Sequence, residues 1–136
     1  MIKLVASDLD GTLLFKGAQS LPEEIFPLIR QLKKMGILFV AASGRQYANM
    51  KKMFRPVVDD MAFISENGGL AVYNEKVLYQ DSFEQELVRE IAESIYDKEG
   101  SEFTCSTKDF LLYQTENRTF QRSDDQCRWK CLQRNQ

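Results

Sequence analysis

Two carboxylates, Asp8 and Asp10, stand two residues apart where the apolar run Ile2-Lys3-Leu4-Val5-Ala6 gives way to Gly11-Thr12. Successive side chains of a strand point to opposite faces, so residues i and i+2 share one. If strand geometry persists to Asp10, both carboxylates enter one crevice. Two anions so close repel each other, and one pKa is expected to rise unless a cation sits between them. Mg²⁺, a hard cation that takes oxygen ligands, suits such a pair. With the charge neutralised, one carboxylate can attack a phosphorus atom while the other moves a proton. Asp-x-Asp-Gly is also the composition of an exposed turn. Its position directly after an N-terminal apolar strand is what favours a site.

A second segment, Phe39-Val40-Ala41-Ala42-Ser43-Gly44-Arg45, has the same form, an apolar run followed by a turn. The Ser43 hydroxyl, the nearby backbone N–H groups and the start of the next helix make a phosphate cradle. Ser43 has an alternative role as a helix N-cap. Arg45 either meets substrate or is simply solvated. The chain contains no His, which removes Ser-His and Cys-His nucleophile pairs. Hydrolytic chemistry here must run on carboxylates, Lys, Tyr or a metal.

The elements that would carry these residues follow from periodicity. Ile2 to Ser7 reads as a strand. Ser20-Leu21-Pro22-Glu23 reads as a capping box, followed by Ile25, Leu28, Ile29, Leu32 and Met35 at helical spacing. Pro27 is expected to kink that helix, and Gly36 to end it. Ile37 to Ala42 is a second strand, Gln46 to Phe54 a second helix with Tyr47, Met50 and Phe54 on one side, and Ala62 to Ser65 a third strand. Leu70 to Tyr73 and Val77 to Tyr79, joined through Asn74-Glu75, form a hairpin. Phe63, Tyr73 and Tyr79 are expected in the core. Phe83 to Tyr96 is an amphipathic helix whose Glu84, Glu86, Glu90 and Glu93 form its wet face, and Phe103 to Cys105 and Phe110 to Tyr113 are strands. The β-α-β-α-β order predicts an α/β fold with a parallel sheet. Sites of such sheets lie beyond the C-terminal strand ends, where Asp8, Asp10 and Ser43 all fall.

Asp8-Leu9-Asp10-Gly11-Thr12-Leu13 resembles the first motif of the haloacid-dehalogenase-like (HAD) phosphohydrolases. Ser43-Gly44-Arg45, one β-α unit later, and Phe63-Ile64-Ser65-Glu66-Asn67-Gly68-Gly69 resemble the Cof-like, class IIB branch. The resemblance is good over residues 1 to 80, generic to Tyr113 and absent beyond. It implies a partial HAD-like, Rossmann-like core over 1–80, the start of an inserted α/β cap over 81–115, and an irregular tail over 116–136. It implies a Mg²⁺-dependent phosphatase of small phosphorylated metabolites. Asp8 would be the nucleophile and a metal ligand. Asp10 would be the acid and base, with its backbone carbonyl on the metal. Ser43 and Gly44 would bind phosphate, and Arg45 and Asn67 would meet substrate, although Asn67 equally suits a turn beside Gly68. Thr12 would support the loop.

The family also uses a later Lys and an acidic motif, and no segment of this chain has their setting. Asp124-Asp125 lacks a preceding strand. A truncated or frame-shifted gene is therefore expected, with weak metal binding and low activity. A phosphate- or metal-binding chain without turnover is the alternative. A receiver-type phospho-acceptor is disfavoured, because its acceptor Asp lies on a later strand.

Composition excludes other classes. A length of 136 residues with 43% hydrophobic and 28% charged residues suits a folded domain. A net charge of -2 carries no nucleic-acid footprint. No apolar run is long enough to span a membrane, and the N-terminus makes a poor signal peptide, so a cytoplasmic location is expected. Three Cys argue against a secreted disulfide framework. Oligomeric state leaves no mark in the sequence.

Overall fold

The computed structural model describes residues 1–15, 18, 20–96, 104–106, 111–114, 120–122 and 128–129. It divides into two units, Met1–Asp81 and Ser82–Gln136. In the first unit the order is β1 (Leu4–Asp8), α1 (Ile25–Lys34), β2 (Leu38–Ala42), α2 (Tyr47–Met53), β3 (Met61–Ser65), β4 (Leu70–Tyr73) and β5 (Lys76–Gln80). A 3-10 segment, Arg55–Asp60, leads from α2 into β3. The five strands form one sheet in the order β1-β2-β3-β4-β5. β1, β2 and β3 run parallel, and the β4–β5 hairpin adds two antiparallel strands. The expected parallel α/β core is present.

Alternation along the strands decides which face is covered. Phe39, Ala41, Met61 and Phe63 lie in one buried cluster with Ile29 of α1 and Tyr47 and Met50 of α2. Both helices therefore pack on the same sheet face. Tyr47 and Phe54 both meet Phe63 edge-on, with ring centroids 5.5 and 5.9 Å away. The other face carries Leu4, Ala6 and Asp8, and it is more open: Leu4 is 52% and Ile64 37% exposed.

Local chemistry explains where α1 begins and ends. It starts at Ile25 rather than at Ser20, and its N-cap position, Glu24, makes no side-chain cap hydrogen bond. The expected capping box is thus not what opens the helix. Pro27 falls in the first turn, where a backbone N–H has no helical partner to lose, so the expected kink has no cause. The last turn closes as a Schellman motif. Gly36, with φ +71°, donates to Lys33 O at 3.0 Å, and Ile37 donates to Leu32 O at 3.0 Å. Lys33 reaches Asp60 at 2.7 Å and Arg30 reaches the Pro56 carbonyl at 2.7 Å, which ties α1 to the 3-10 segment. In the hairpin, Asn74 and Glu75 both have positive φ, the conformation of a two-residue type I′ turn. Tyr79 is 55% exposed instead of buried, because β5 is an edge strand exposed at every residue.

The second unit contains α3 (Gln85–Tyr96) and a four-stranded antiparallel sheet of β6 (Thr104–Ser106), β7 (Leu111–Gln114), β8 (Phe120–Arg122) and β9 (Arg128–Trp129). β8 and β9 lie in the segment expected to be irregular. They pair Phe120 with Trp129 and Gln121 with Arg128. Two- and three-residue strands are too short to leave a period in sequence, and only their pairing reveals them. The rest of that tail, including Asp124-Asp125, lies outside the described residues. Among the described residues, no helix is long and apolar enough to cross a membrane.

Candidate functional site

Parallel register brings the strand ends together. Asp8 lies beside Ala42, and Ala42 beside Ile64. Neighbouring strands are about 4.8 Å apart, so the residues following these three share one end of the sheet. The loops there are joined by backbone hydrogen bonds. Ser43 N–H donates to Ile64 O at 2.9 Å, and Glu66 N–H donates to Arg45 O at 3.1 Å.

The Asp8–Asp10 pair keeps its alternation one step beyond β1. Leu9 is fully buried, and the carboxylates on either side of it are exposed. A tight loop follows. Leu9 O accepts from Thr12 N–H at 3.2 Å and from Leu14 N–H at 2.7 Å, while Gly11 N–H donates to Leu14 O at 2.9 Å. Gly11 has φ +84°, which a side chain at that position would oppose. Asp8 Oδ1 accepts from Leu9 N–H at 2.7 Å, which fixes the rotation of its carboxylate. The second oxygen retains the capacity to attack an electrophile.

Arg45 is not simply solvated, because its guanidinium is paired with Asp10. Its Nε lies 2.8 Å from Asp10 Oδ2 and its Nη2 2.7 Å from Asp10 Oδ1, a bidentate fork. Nη1 lies 3.8 Å from Met53 Sδ on α2. The hydrogen bond from Arg45 holds the Asp10 carboxyl below its ordinary pKa of 3.8; desolvation opposes this, and the opposite charge of Arg45 adds to it. The same hydrogen bond raises the Arg45 pKa. A rise was expected only in the absence of a cation, and at Asp10 the Arg45 guanidinium is the cation that turns the shift downward.

This shift has a sign that can be measured. A depressed carboxylate pKa contributes stability above the unfolded value, near 3.8, and loses it as pH falls through the lower folded value. Arg45→Met is expected to move the Asp10 carboxyl-carbon titration upward in NMR and to remove that acid-side contribution. An Asp10 midpoint that does not change in the variant would show that the fork does not hold in solution.

Ser43 N–H is taken by Ile64 O, and Arg45 N–H donates to Ser43 Oγ at 3.2 Å. The Ser43 O–H and the Gly44 N–H remain as candidate donors to an anion. Asn67 comes in beside them: a Cβ on Gly44 would lie 2.5 Å from Asn67 Oδ1. Asn67 sits in a left-handed turn with φ +55°, between Glu66 at +54° and Gly68 at +95°. Asn-Gly signals positive φ in sequence. A left-handed Glu carries no such signal, and neither the Arg45 fork nor the Asn67–Gly44 contact is readable without the fold.

Residues 5–134 match the family model of the haloacid dehalogenase-like hydrolases, and the match runs into the tail where sequence reading finds no resemblance. The chain is 31% identical over 107 residues to 5-amino-6-(5-phospho-D-ribitylamino)uracil phosphatase YbjI of Escherichia coli K12, covering 79% of this chain and 40% of that protein. A solved structure from Eubacterium rectale is similar with TM-score 0.73 at 27% identity, over 84% of this chain and 43% of the other. The HAD subclass IIB sugar phosphatase BT4131 shares the fold with TM-score 0.58 at 24% identity, over 80% of this chain and 42% of the other. The chain thus spans about 40% of the length of the YbjI phosphatase. With Asp8, Asp10 and Ser43 gathered at the strand ends of an α/β sheet and the family match covering nearly its whole length, the chain belongs to the haloacid dehalogenase-like hydrolases.

Proposed function

We propose that this chain carries the nucleophile and phosphate-binding half of a phosphatase for small phosphorylated metabolites. The observation that carries the reading is Asp8 and Asp10, exposed on either side of buried Leu9, at a strand end in register with the strand that leads to Ser43. Asp8 attacks the phosphorus, its Oδ–P bond forms and the P–O bond to the leaving alcohol breaks. Asp10 gives that alcohol its proton. Asp10 then takes a proton from water, whose oxygen displaces Asp8 from phosphorus and releases inorganic phosphate. Ser43 O–H and Gly44 N–H hold the phosphoryl oxygens. The Arg45 fork stabilises the carboxylate form of Asp10, so donation of a proton requires the fork to open.

The donor chemistry suits Mg²⁺, since the Asp8 carboxylate and the Asp10 backbone carbonyl are hard oxygens and Mg²⁺ keeps several waters. When bound, the ion supplies neutralisation of phosphoryl charge. Among the described residues, no three His, Cys, Asp or Glu side chains form a metal cluster. Binding is therefore expected to be weak. The YbjI relative is named as a phosphatase of a phosphorylated ribitylamino compound, which fits a phosphomonoester of a small polar alcohol here. Residues 81–115 are read as the start of a cap domain, and a cytoplasmic location fits such substrates.

A second reading, phosphate or metal binding without turnover, is favoured by the Asp10–Arg45 fork, which ties up the proton carrier. The test is Mg²⁺-dependent phosphate release from p-nitrophenyl phosphate, with circular dichroism to establish folding. Release above a no-metal control supports the enzyme. A folded chain that releases nothing but binds orthophosphate leaves the second reading standing.

A further inference from the structure

Gly44 is not in the left-handed region, so its missing side chain is not explained by backbone conformation. What fills the space is the Asn67 carboxamide. A Cβ at position 44 would lie 2.5 Å from Asn67 Oδ1, 3.2 Å from its Cγ and 3.5 Å from Nδ2. Real Cβ atoms do not approach within 3.0 Å, so the two groups exclude each other. The backbone under Asn67 is held on both sides: Glu66 N–H donates to Arg45 O and Gly69 N–H to Glu66 O, each at 3.1 Å. That backbone is strained at Glu66, which takes positive φ with neither the freedom of glycine nor the tolerance of Asn. Strain of this kind persists where the surrounding structure imposes it, and it gathers at ligand sites.

We infer that Gly44 and Asn67 form one positioning pair: glycine at 44 makes room for the Asn67 carboxamide, which is thereby set beside the Ser43 hydroxyl and Gly44 N–H as a third polar group for a phosphoryl oxygen. The inference rests on the proposed phosphate reading of Ser43 and Gly44. It assigns Gly44 a role through its neighbour, and it makes Asn67 a substrate contact whose placement depends on residue 44. Alanine at 44 evicts the carboxamide by side-chain rotation, since the colliding atom is the end of a flexible chain, and leaves the fold intact.

The test is a double-mutant cycle on the full chain, with Gly44→Ala, Asn67→Gly and both together. Glycine at 67 keeps the left-handed backbone at no steric cost. Orthophosphate is the probe, titrated while the Ser43 and Gly44 amide resonances are followed. Each single substitution is expected to weaken orthophosphate by about 3- to 10-fold, and the double variant to bind no more weakly than either single. Wild type is expected to show a nuclear Overhauser effect between the Asn67 side-chain amide and the Gly44 Cα protons; in Gly44→Ala that amide moves to free-Asn shifts with little change in melting temperature. Effects that multiply in the double variant, or an Asn67→Gly protein that binds as wild type does, would overturn the pairing. If orthophosphate shifts no amide in wild type, the phosphate reading fails, and the Overhauser contact still decides the pair: its absence overturns the contact itself.

Discussion

Phe63→Ala is expected to lower the melting temperature of the first unit by at least about 12 °C, read by circular dichroism. Phe63 is 2% exposed and lies on β3, between β2 and β4 in the sheet. Its ring is the shared partner of Tyr47 and Phe54, both edge-on. Truncating a buried Phe costs about 3–5 kcal/mol, because the transfer energy is lost and a cavity remains. The edge-on aromatic pairs contribute about 0.5–1.5 kcal/mol each within that total. Domains of this kind have only about 5–15 kcal/mol in all, so the loss removes a large share of the stability. The effect reaches the site as well, because the next residue, Ile64, accepts the Ser43 N–H. Loosening β3 therefore loosens the turn that holds Ser43. Phe63→Leu keeps most of the apolar volume and is expected to fall between the two. A drop below about 4 °C for the alanine variant would mean that this cluster is not packed in solution.

The legibility of the fold and site divides along physical lines. The parallel strands and both helices of the first unit were readable because burial imposes a period, as at Tyr47, Met50 and Phe54, all at most 4% exposed. The hairpin was readable because Asn74-Glu75 separates two apolar runs and Asn tolerates positive φ. Asp8, Asp10 and Ser43 were readable as strand-end residues, since the position beyond each apolar run follows from strand length alone. The helix start was misplaced because Ser20 to Glu23 has capping composition, whereas the chain enters α1 through a turn that ends at Glu24. Tyr79 was misplaced because strand composition does not distinguish an edge strand from a central one. The partner of Arg45 was not legible. It depends on two loops, 35 residues apart in sequence, meeting at one end of the sheet. The Asn67–Gly44 contact is hidden for the same reason. Sequence thus supplies the groups that lie on periodic elements, and the fold supplies the pairings between loops that set their protonation and orientation.

Asp8→Asn is expected to reduce phosphate release by at least about 10³-fold, the scale seen when a nucleophile is removed from a catalytic unit. The substitution is close to isosteric, and an Asn Oδ1 can still accept the Leu9 N–H that the Asp8 carboxylate accepts at 2.7 Å. Asp8 is exposed, so the fold should change by no more than about 0.5 kcal/mol, and circular dichroism should be that of wild type. What disappears is the anionic oxygen that bonds to phosphorus. Asp10→Asn removes a different function and should look different. It keeps the nucleophile but loses the proton carrier and the charge that the Arg45 fork grips. An aryl phosphate leaves as a stable phenolate without needing a proton, so Asp8 in that variant can still be phosphorylated. The water step then lacks its base, and a hydroxylamine-sensitive acyl phosphate should accumulate. Labelled phosphate on Asp10→Asn and none on Asp8→Asn would establish which aspartate forms the bond. Label on the Asp8→Asn protein, or release that survives the substitution, would move the chemistry off this residue.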